Sequence, residues 1–428
     1  MILVIFFGVF FGALFLSAPI VFSLALTALT LLWNKGMLVP QLVVQRMFAG
    51  IDSFPMMAIP FFMLAGSLMD TGGISARLVR FSNYLVGWIT GGLAHVAIVA
   101  SIFFAGITGS AVADATAIGS TLIPLMNRRG FPKLFSATVV AAAGVVGPIV
   151  PPSIPMVIYG VMAGVSIGAL FMGGFIPGFL IGLALMVVVY FQARRRGYPR
   201  ETSRPTARDF LQATVSASGA ILMPLIILVG IFGGVFTATE AAAVATVYAF
   251  LLGKFVYREL EWKQLPQVIY RAGLSTAMIL IIVGVANLVG YIMAVERIPH
   301  LVADLFLGFT TNKHVMLLLI NILLLLVGCF IDGASALIIF TPVLLPLITK
   351  LGIDPVFFGV MITVNLMIGT ITPPVGLCLY VSCGIADVRL EQISRTILPF
   401  LLIEIAVLFL ITYVPDLIMF LPQMFGPK

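Results

Sequence analysis

The sequence predicts an all-α polytopic membrane protein built as an inverted repeat, with two re-entrant helical hairpins and two broken transmembrane helices. Three observations carry that expectation. The 428 residues are 61% hydrophobic and 9% charged, whereas a soluble domain uses about a quarter charged residues to cover its surface. Apolar runs recur from end to end, each long enough to cross a hydrocarbon core about 30 Å thick as a helix, and the longest polar interruption is only 192–208. The chain also matches itself when it is shifted by 222 residues.

The elements follow in chain order. Apolar runs give about nine crossings, near 3–32, 51–70, 132–165, 168–193, 217–236, 238–257, 272–294, 355–385 and 394–420. The first run lacks a basic leader and a small-residue cleavage site, so it reads as a retained span and not as a signal peptide. Segments 92–128 and 314–350 differ. Each has two apolar arms around a glycine-containing centre, Gly106-Ile107-Thr108-Gly109-Ser110 and Gly328-Cys329-Phe330-Ile331-Asp332-Gly333. Irregular backbone survives at membrane depth only when buried in protein or lining a cavity, so both are read as hairpins that enter and return. Amphipathic stretches 74–85 and 298–307 precede the hairpins; they read as interfacial helices and as arms joining a moving part to a fixed one. The expected division is an N-terminal scaffold span 1–50, a first repeat 51–165, scaffold spans with a basic loop 166–271, a second repeat 272–385 and a C-terminal span 386–428.

Charge sets the orientation. With Arg194, Arg195 and Arg196 placed in the cytoplasm, only six of the 23 Lys and Arg residues fall on the opposite side: Lys35, Arg46, Arg297, Lys313, Lys350 and Lys428. The positive-inside rule accounts for that asymmetry, and so for the net charge of +7 without any nucleic-acid partner. The same count puts the N-terminus in the cytoplasm and the C-terminus in the periplasm.

At the 222-residue shift, Gly106 meets Gly328, Pro124 meets Pro346, Gly130 meets Gly352, Gly147 meets Gly369, and Pro151-Pro152 meets Pro373-Pro374. Shared glycines and prolines mean a shared backbone path, beyond shared hydrophobicity. Five crossings separate the hairpins, and an odd number turns the second copy upside down, as in many secondary transporters.

Chemistry is expected where helices stop. After each hairpin comes a crossing broken near its middle, at Gly147-Pro148-Ile149-Val150-Pro151-Pro152-Ser153 and at Gly369-Thr370-Ile371-Thr372-Pro373-Pro374-Val375-Gly376. Paired prolines remove two backbone donors and turn the preceding residue out of the helical region. The freed carbonyls then serve a kink used for packing, or they coordinate a dehydrated cation such as sodium; duplication beside two hairpins favours the cation. Ser110 and Asp332 are equivalent positions, each opening a second hairpin arm. They are caps of those helices, and in a functional reading they also mark two opposed positive helix ends suited to an anion. Thr108, Ser335 and Thr341 add hydroxyls nearby, and Asp114 lies one turn beyond Ser110 on the same helical face. Glu240 reads as the cap of the helix it opens, and Glu404 faces either a partner helix or the headgroup region. Cys329, Cys378 and Cys383 form no metal-ligand pattern. The three histidines, His95, His300 and His314, form no zinc-protease motif or visible nucleophile–base pair, which argues against an enzyme.

Several segments together resemble the large membrane subunit of the tripartite ATP-independent periplasmic (TRAP) transporters: Ile59 to Gly66, Phe104 to Ala111, Pro151-Pro152-Ser153, Phe236 to Ala242 and Ile368 to Gly376. The resemblance covers nearly the whole chain; the family carries proline where this chain has Ala238. It implies sodium-driven uptake of an organic acid across a bacterial inner membrane by an elevator-type movement of both hairpins and both broken helices. It also implies a separate small membrane subunit of about four helices and a soluble periplasmic substrate-binding protein. Carried over by position, Ser110, Asp332, Ser153 and Thr108 become candidate substrate contacts. Gly106, Gly147, Pro148, Gly328, Gly369, Thr372 and Ser335 become candidate contacts for Na+, at two or more sites. Sialic acid is the expected substrate, then a C4-dicarboxylate, because no cluster of basic residues awaits a second carboxylate in either hairpin or break. The main rival is a single-component divalent-anion/sodium symporter, which would need neither partner; an open channel suits opposed hairpins less well.

Overall fold

A computed structural model describes residues 2–200 and 206–426; the side chains of residues 2–4, 105–108, 207, 300 and 305 lie outside that description. Among the described residues the chain is helices and turns, with no strand. Helices and closed barrels are the two architectures that satisfy every backbone group inside a bilayer.

The first half runs α1 (Ile2–Phe15), α2 (Ile20–Asn34), α3 (Pro40–Ile51), α4 (Ala58–Thr71), α5 (Ile74–Val86), α6 (Gly92–Thr108), α7 (Ala111–Arg128), α8 (Lys133–Gly144), α9 (Ile154–Ala163) and α10 (Ile167–Arg196). The second half runs α11 (Ala207–Phe232), α12 (Ala238–Leu251), α13 (Leu265–Val295), α14 (Ile298–Phe309), α15 (Lys313–Gly328), α16 (Gly333–Lys350), α17 (Pro355–Gly369), α18 (Leu377–Ala386), α19 (Leu390–Thr396), α20 (Leu398–Tyr413) and α21 (Asp416–Phe425). The 222-residue shift carries α7 onto α16 end for end and brings α8, α9, α5 and α6 within about three residues of α17, α18, α14 and α15. It also overlaps α1 and α2 with parts of α11 and α12, Ile2–Phe15 falling on 224–237 and Ile20–Asn34 on 242–256.

That overlap corrects the reading of the first apolar run. Segment 3–32 is two helices packed against each other, not one crossing. Ser17 takes a left-handed φ of 63°, and Pro19, with no amide hydrogen, starts the new helix. Hydrophobicity alone missed the turn because Leu14, Phe15, Leu16 and Ala18 leave no polar gap. The extra reversal also changes the parity of the count from which the side of the N-terminus is expected. Two further elements were not anticipated. The amphipathic α3 lies along α13, and α21 turns back onto α10 after Pro415, so the last span ends near Tyr413.

Ion pairs mark the two faces. Lys35 reaches Glu296 at 3.0 Å and Lys350 reaches Asp304 at 3.0 Å on one side, and Arg77 reaches Glu259 at 2.7 Å on the other. Such half-exposed pairs contribute little stability, but they tie the ends of sequence-distant helices to a common level.

The hairpins and breaks interlock. In each copy the first half of the broken helix packs along both hairpin arms, α8 on α6 and α7, and α17 on α15 and α16. The second half crosses to the other copy, α9 to α16 and α18 to α7. Tyr159 of α9 closes the arrangement by donating to the Pro355 carbonyl at 2.7 Å. Both hairpin tips therefore sit at the level of the breaks, with Phe330 at the second tip left exposed. The tightest crossing is Gly328 on Gly369: a Cβ at 369 would stand 2.5 Å from the Gly328 Cα and 2.7 Å from its carbonyl carbon. Only a residue without a side chain lets two backbones approach so closely.

Two outcomes follow. Leu16→Cys, in the α1–α2 turn, is expected to react with a membrane-impermeant maleimide from the face opposite Lys35→Cys; protection from both faces would restore a single first span. Gly369→Ala is expected to cost about 1–3 kcal/mol through overpacking against the hairpin backbone, read as a lowered Tm of the purified protein in detergent. An unchanged Tm would mean that the two backbones do not meet.

Candidate functional site

The site is built from helix ends. Ser110 caps α7, its hydroxyl accepting from the Ala113 amide at 3.5 Å. Asp332 caps α16, its carboxylate accepting from the Ser335 amide at 3.3 Å and from the Ser335 hydroxyl at 3.5 Å. Both caps are partly exposed, so each combines a positive helix end with access for a ligand. Asp332, expected as a substrate contact, and Ser335, expected as a sodium contact, are thus a single hydrogen-bonded unit.

Ser153 behaves differently. It caps α9, accepting from the Met156 amide at 3.3 Å and donating its own proton to the Pro148 carbonyl. It is fully buried. With its donor used and no exposed surface, Ser153 holds the first break together in this conformation. The Pro148 carbonyl keeps one lone pair for another donor or a cation.

The second break is tied down by its own residues. Thr372 donates to the Ile368 carbonyl at 2.9 Å, and Thr370 donates to the Met367 carbonyl at 2.6 Å while accepting from the Cys378 thiol at 3.4 Å. The Gly376 amide reaches over to the Cys329 carbonyl at the hairpin tip, 3.3 Å away. Both hydroxyls keep oxygen lone pairs while adding a second donor to carbonyls that already accept from the Thr370 and Ile371 amides. Pro151-Pro152 and Pro373-Pro374 are both cis, so the two breaks share their backbone form as well as their residues. Gly106 and Thr108, expected at the first hairpin tip, lie outside the described residues.

Asp114 gains the most from the structure. Its side chain is fully buried, and a Cβ at Gly147 would overlap its carboxylate. Gly147 therefore makes room at the first break for an acid of the first hairpin. Asp332 at one hairpin tip, Asp114 on the other hairpin's second arm and Glu404 on the last long helix are the acids that these elements carry. Glu404 is fully buried, and neither of its oxygens has a hydrogen-bond partner among the described residues. It faces protein, not headgroups. No Lys or Arg makes an ion pair with Asp332 or Glu404 among the described residues. Acids in such surroundings are costly unless a cation or a proton offsets them. Carboxylates, carbonyls and hydroxyls form an all-oxygen set of the kind hard cations prefer, so the residues present fit sodium.

A buried polar chain went unseen in the sequence. Asn365 of α17 donates to Asn321 of α15 at 2.8 Å, and Asn321 donates to Thr412 of α20 at 3.1 Å. Its members are scattered over 321–412 and have no counterparts at the repeat positions Val99 and Ala143, so no local or periodic signal marked them.

Comparison with known proteins agrees with this architecture. The family described as "Tripartite ATP-independent periplasmic transporter, DctM component" matches residues 7–417. The isethionate TRAP transporter permease protein DctMQ of Oleidesulfovibrio alaskensis is 44% identical over 414 residues, covering 97% of this chain; the chain spans 65% of that protein. The sialic acid TRAP transporter large permease protein SiaM of Vibrio cholerae is 42% identical over 417 residues, covering 97% of each chain. The crystal structure of the Alcanivorax borkumensis YdaH transporter aligns with a TM-score of 0.66 at 16% identity, covering 87% of each chain, which supports the fold alone. By its helical inverted repeat and by a family match over nearly its whole length, the chain belongs to the DctM component family of the tripartite ATP-independent periplasmic transporters.

Proposed function

We propose that this permease couples inward sodium movement to uptake of a monovalent organic acid, moving both hairpins and both broken helices as one elevator. The observation that carries the proposal is a hairpin acid at each helix interruption: Asp332 caps α16 at the second hairpin tip, and Asp114 of the first hairpin lies buried against Gly147 at the first break. Such a region holds cations readily, and an anion binds well beside a bound cation. Sodium loading thus creates the charge environment that the substrate needs, which is coupling in physical terms. The candidate sodium contacts are Gly147, Pro148, Gly328, Gly369, Thr372 and Ser335, with Asp114 added as a carboxylate. Ser110 and Asp332, on partly exposed helix ends, are the candidate substrate contacts.

Two relatives are named for isethionate and for sialic acid. Each of those acids carries a single anionic group together with hydroxyl chemistry. That agrees with the lack of a basic cluster in either hairpin or break, and it keeps sialic acid ahead of a dicarboxylate. A small membrane subunit and a periplasmic binding protein complete the proposed assembly in a bacterial inner membrane. In this reading, with the Arg194–Arg196 loop in the cytoplasm, Ile2 and Phe425 both lie on the periplasmic side, the turn at Ser17 supporting that side for Ile2.

Asp332→Ala, in proteoliposomes holding the complete assembly with its binding protein, is expected to reduce sodium-dependent acid uptake to the level of protein-free vesicles while the complex still co-purifies. Normal uptake would remove Asp332 from the site, and uptake by this chain without either partner would favour a single-component symporter. For the inverted repeat, cysteines at Ser110 and Gly333 are expected to label from opposite faces of the membrane. Labelling of both from one face would refute the antiparallel arrangement of the hairpins.

A further inference from the structure

Two clefts open beside the hairpins and share related parts, although the larger also takes in α5 and the smaller takes in α9, with Pro342 as the α16 residue in its lining. One, of about 630 Å³, lies between α4, the second hairpin arm α7 and the start of α13. The other, of about 450 Å³, lies between α3, the second hairpin arm α16 and the end of α13. The α3–α4 unit and α13 are repeat partners, so each cleft takes the first half of one and the second half of the other. The correspondence reaches single residues: Ser275, Ser120 and Arg271 of the larger cleft fall on Ser53, Pro342 and Ala49 of the smaller one at the 222-residue shift.

Each cleft contains one arginine on its first-half helix, Arg271 on α13 and Arg46 on α3. Arg46 stands one turn from the repeat position of Arg271. Its guanidinium lies 4.0 Å from the ring centre of Tyr291, and its Nε is buried without a hydrogen-bond partner. Arg271 faces the exposed side of α7, where Thr116 and Ser120 donate to their own helix carbonyls at 2.7 and 3.0 Å. Those hydroxyl oxygens remain as acceptors. A single cation beside hydroxyl acceptors suits an anion that carries its own hydroxyl donors. Asp70 also lines this cleft and offsets part of the positive charge.

We infer that the two clefts are anion vestibules on opposite faces of the membrane, Arg46 receiving and Arg271 releasing the single charged group of a small organic acid. The inference rests on the transport reading above. It adds the entry and exit sites, which lie outside the hairpin–break centre. A positive group lining a cleft raises the local anion concentration, and here Arg46, half-buried, and Arg271, exposed, each do so in a cleft beside a hairpin's second arm.

The test uses thiol reagents of opposite charge on the full chain in its complex. Ser120→Cys and Asn287→Cys place one exposed thiol in each cleft; the three native cysteines are buried, and the unsubstituted protein supplies the background rate. The probes are the anionic sulfonatoethyl and the cationic trimethylammonioethyl methanethiosulfonates. Arg271→Gln is expected to lower the anionic-to-cationic rate ratio at position 120 several-fold, Arg271→Lys to restore it, and Asp70→Asn to raise it. Arg46→Gln is expected to lower the ratio at position 287, with the two thiols reacting from opposite faces. Ratios indifferent to either arginine in complexes that still assemble, or both thiols reacting from one face, would overturn the inference. The readout needs no transport, so absent acid uptake with arginine-dependent ratios would retire the transport reading and leave the vestibules standing.

Discussion

Every backbone amide and carbonyl at membrane depth must find a partner inside the protein, and this chain breaks its helices where that requirement is hardest to meet. Pro152 offers no amide to the Pro148 carbonyl, and the Ser153 hydroxyl donates there instead; at the second break the Cys378 amide reaches the Thr370 carbonyl, past Pro374. The interlocked hairpins follow from the same need. A tip that carries unpaired groups survives only when it is covered, and each tip is covered by a break belonging to its own copy. The site is therefore a consequence of how the breaks are tolerated, with acids, hydroxyls and helix ends brought together by the packing that protects them.

The hairpins, breaks and inverted relation were legible because glycine and proline dictate backbone path whatever surrounds them. Gly147 and Gly369 could be paired by offset alone, and the structure gives them different roles. One makes room for the Asp114 carboxylate, and the other lets its backbone touch Gly328. What the sequence withheld depends on side-chain direction or on long-range pairing. The Asn321–Asn365–Thr412 chain spans three helices. Glu404 could not be oriented until its side chain was seen buried in protein. The missed turn at Ser17 has another cause: it lies in an unbroken apolar run, and Pro19 was its only local marker.

The two copies share their plan but not their chemistry. At the first hairpin the cap is a neutral serine, with the acid one turn away and buried; at the second the acid is the cap itself. The α7 wall of one cleft carries Thr116 and Ser120, whereas the matching positions on α16 are Ile338 and Pro342. Duplication supplies two related halves that face opposite ways, and divergence lets each half meet a ligand with different groups.

One asymmetry bears on energy. The 31 residues of α13 form a continuous strut, while its partner is jointed between Ile51 and Ala58. In a perfectly symmetric pair, exchanging the conformations of the two copies would give a second state of equal free energy. A rigid strut beside a jointed one removes that degeneracy, so in the proposed elevator the two extremes would differ in free energy before any ligand binds. In that proposal ion and substrate act on a tilted balance. The work they must do is set by how far a single turn of backbone, at 52–57, departs from the helix that replaces it in the other copy.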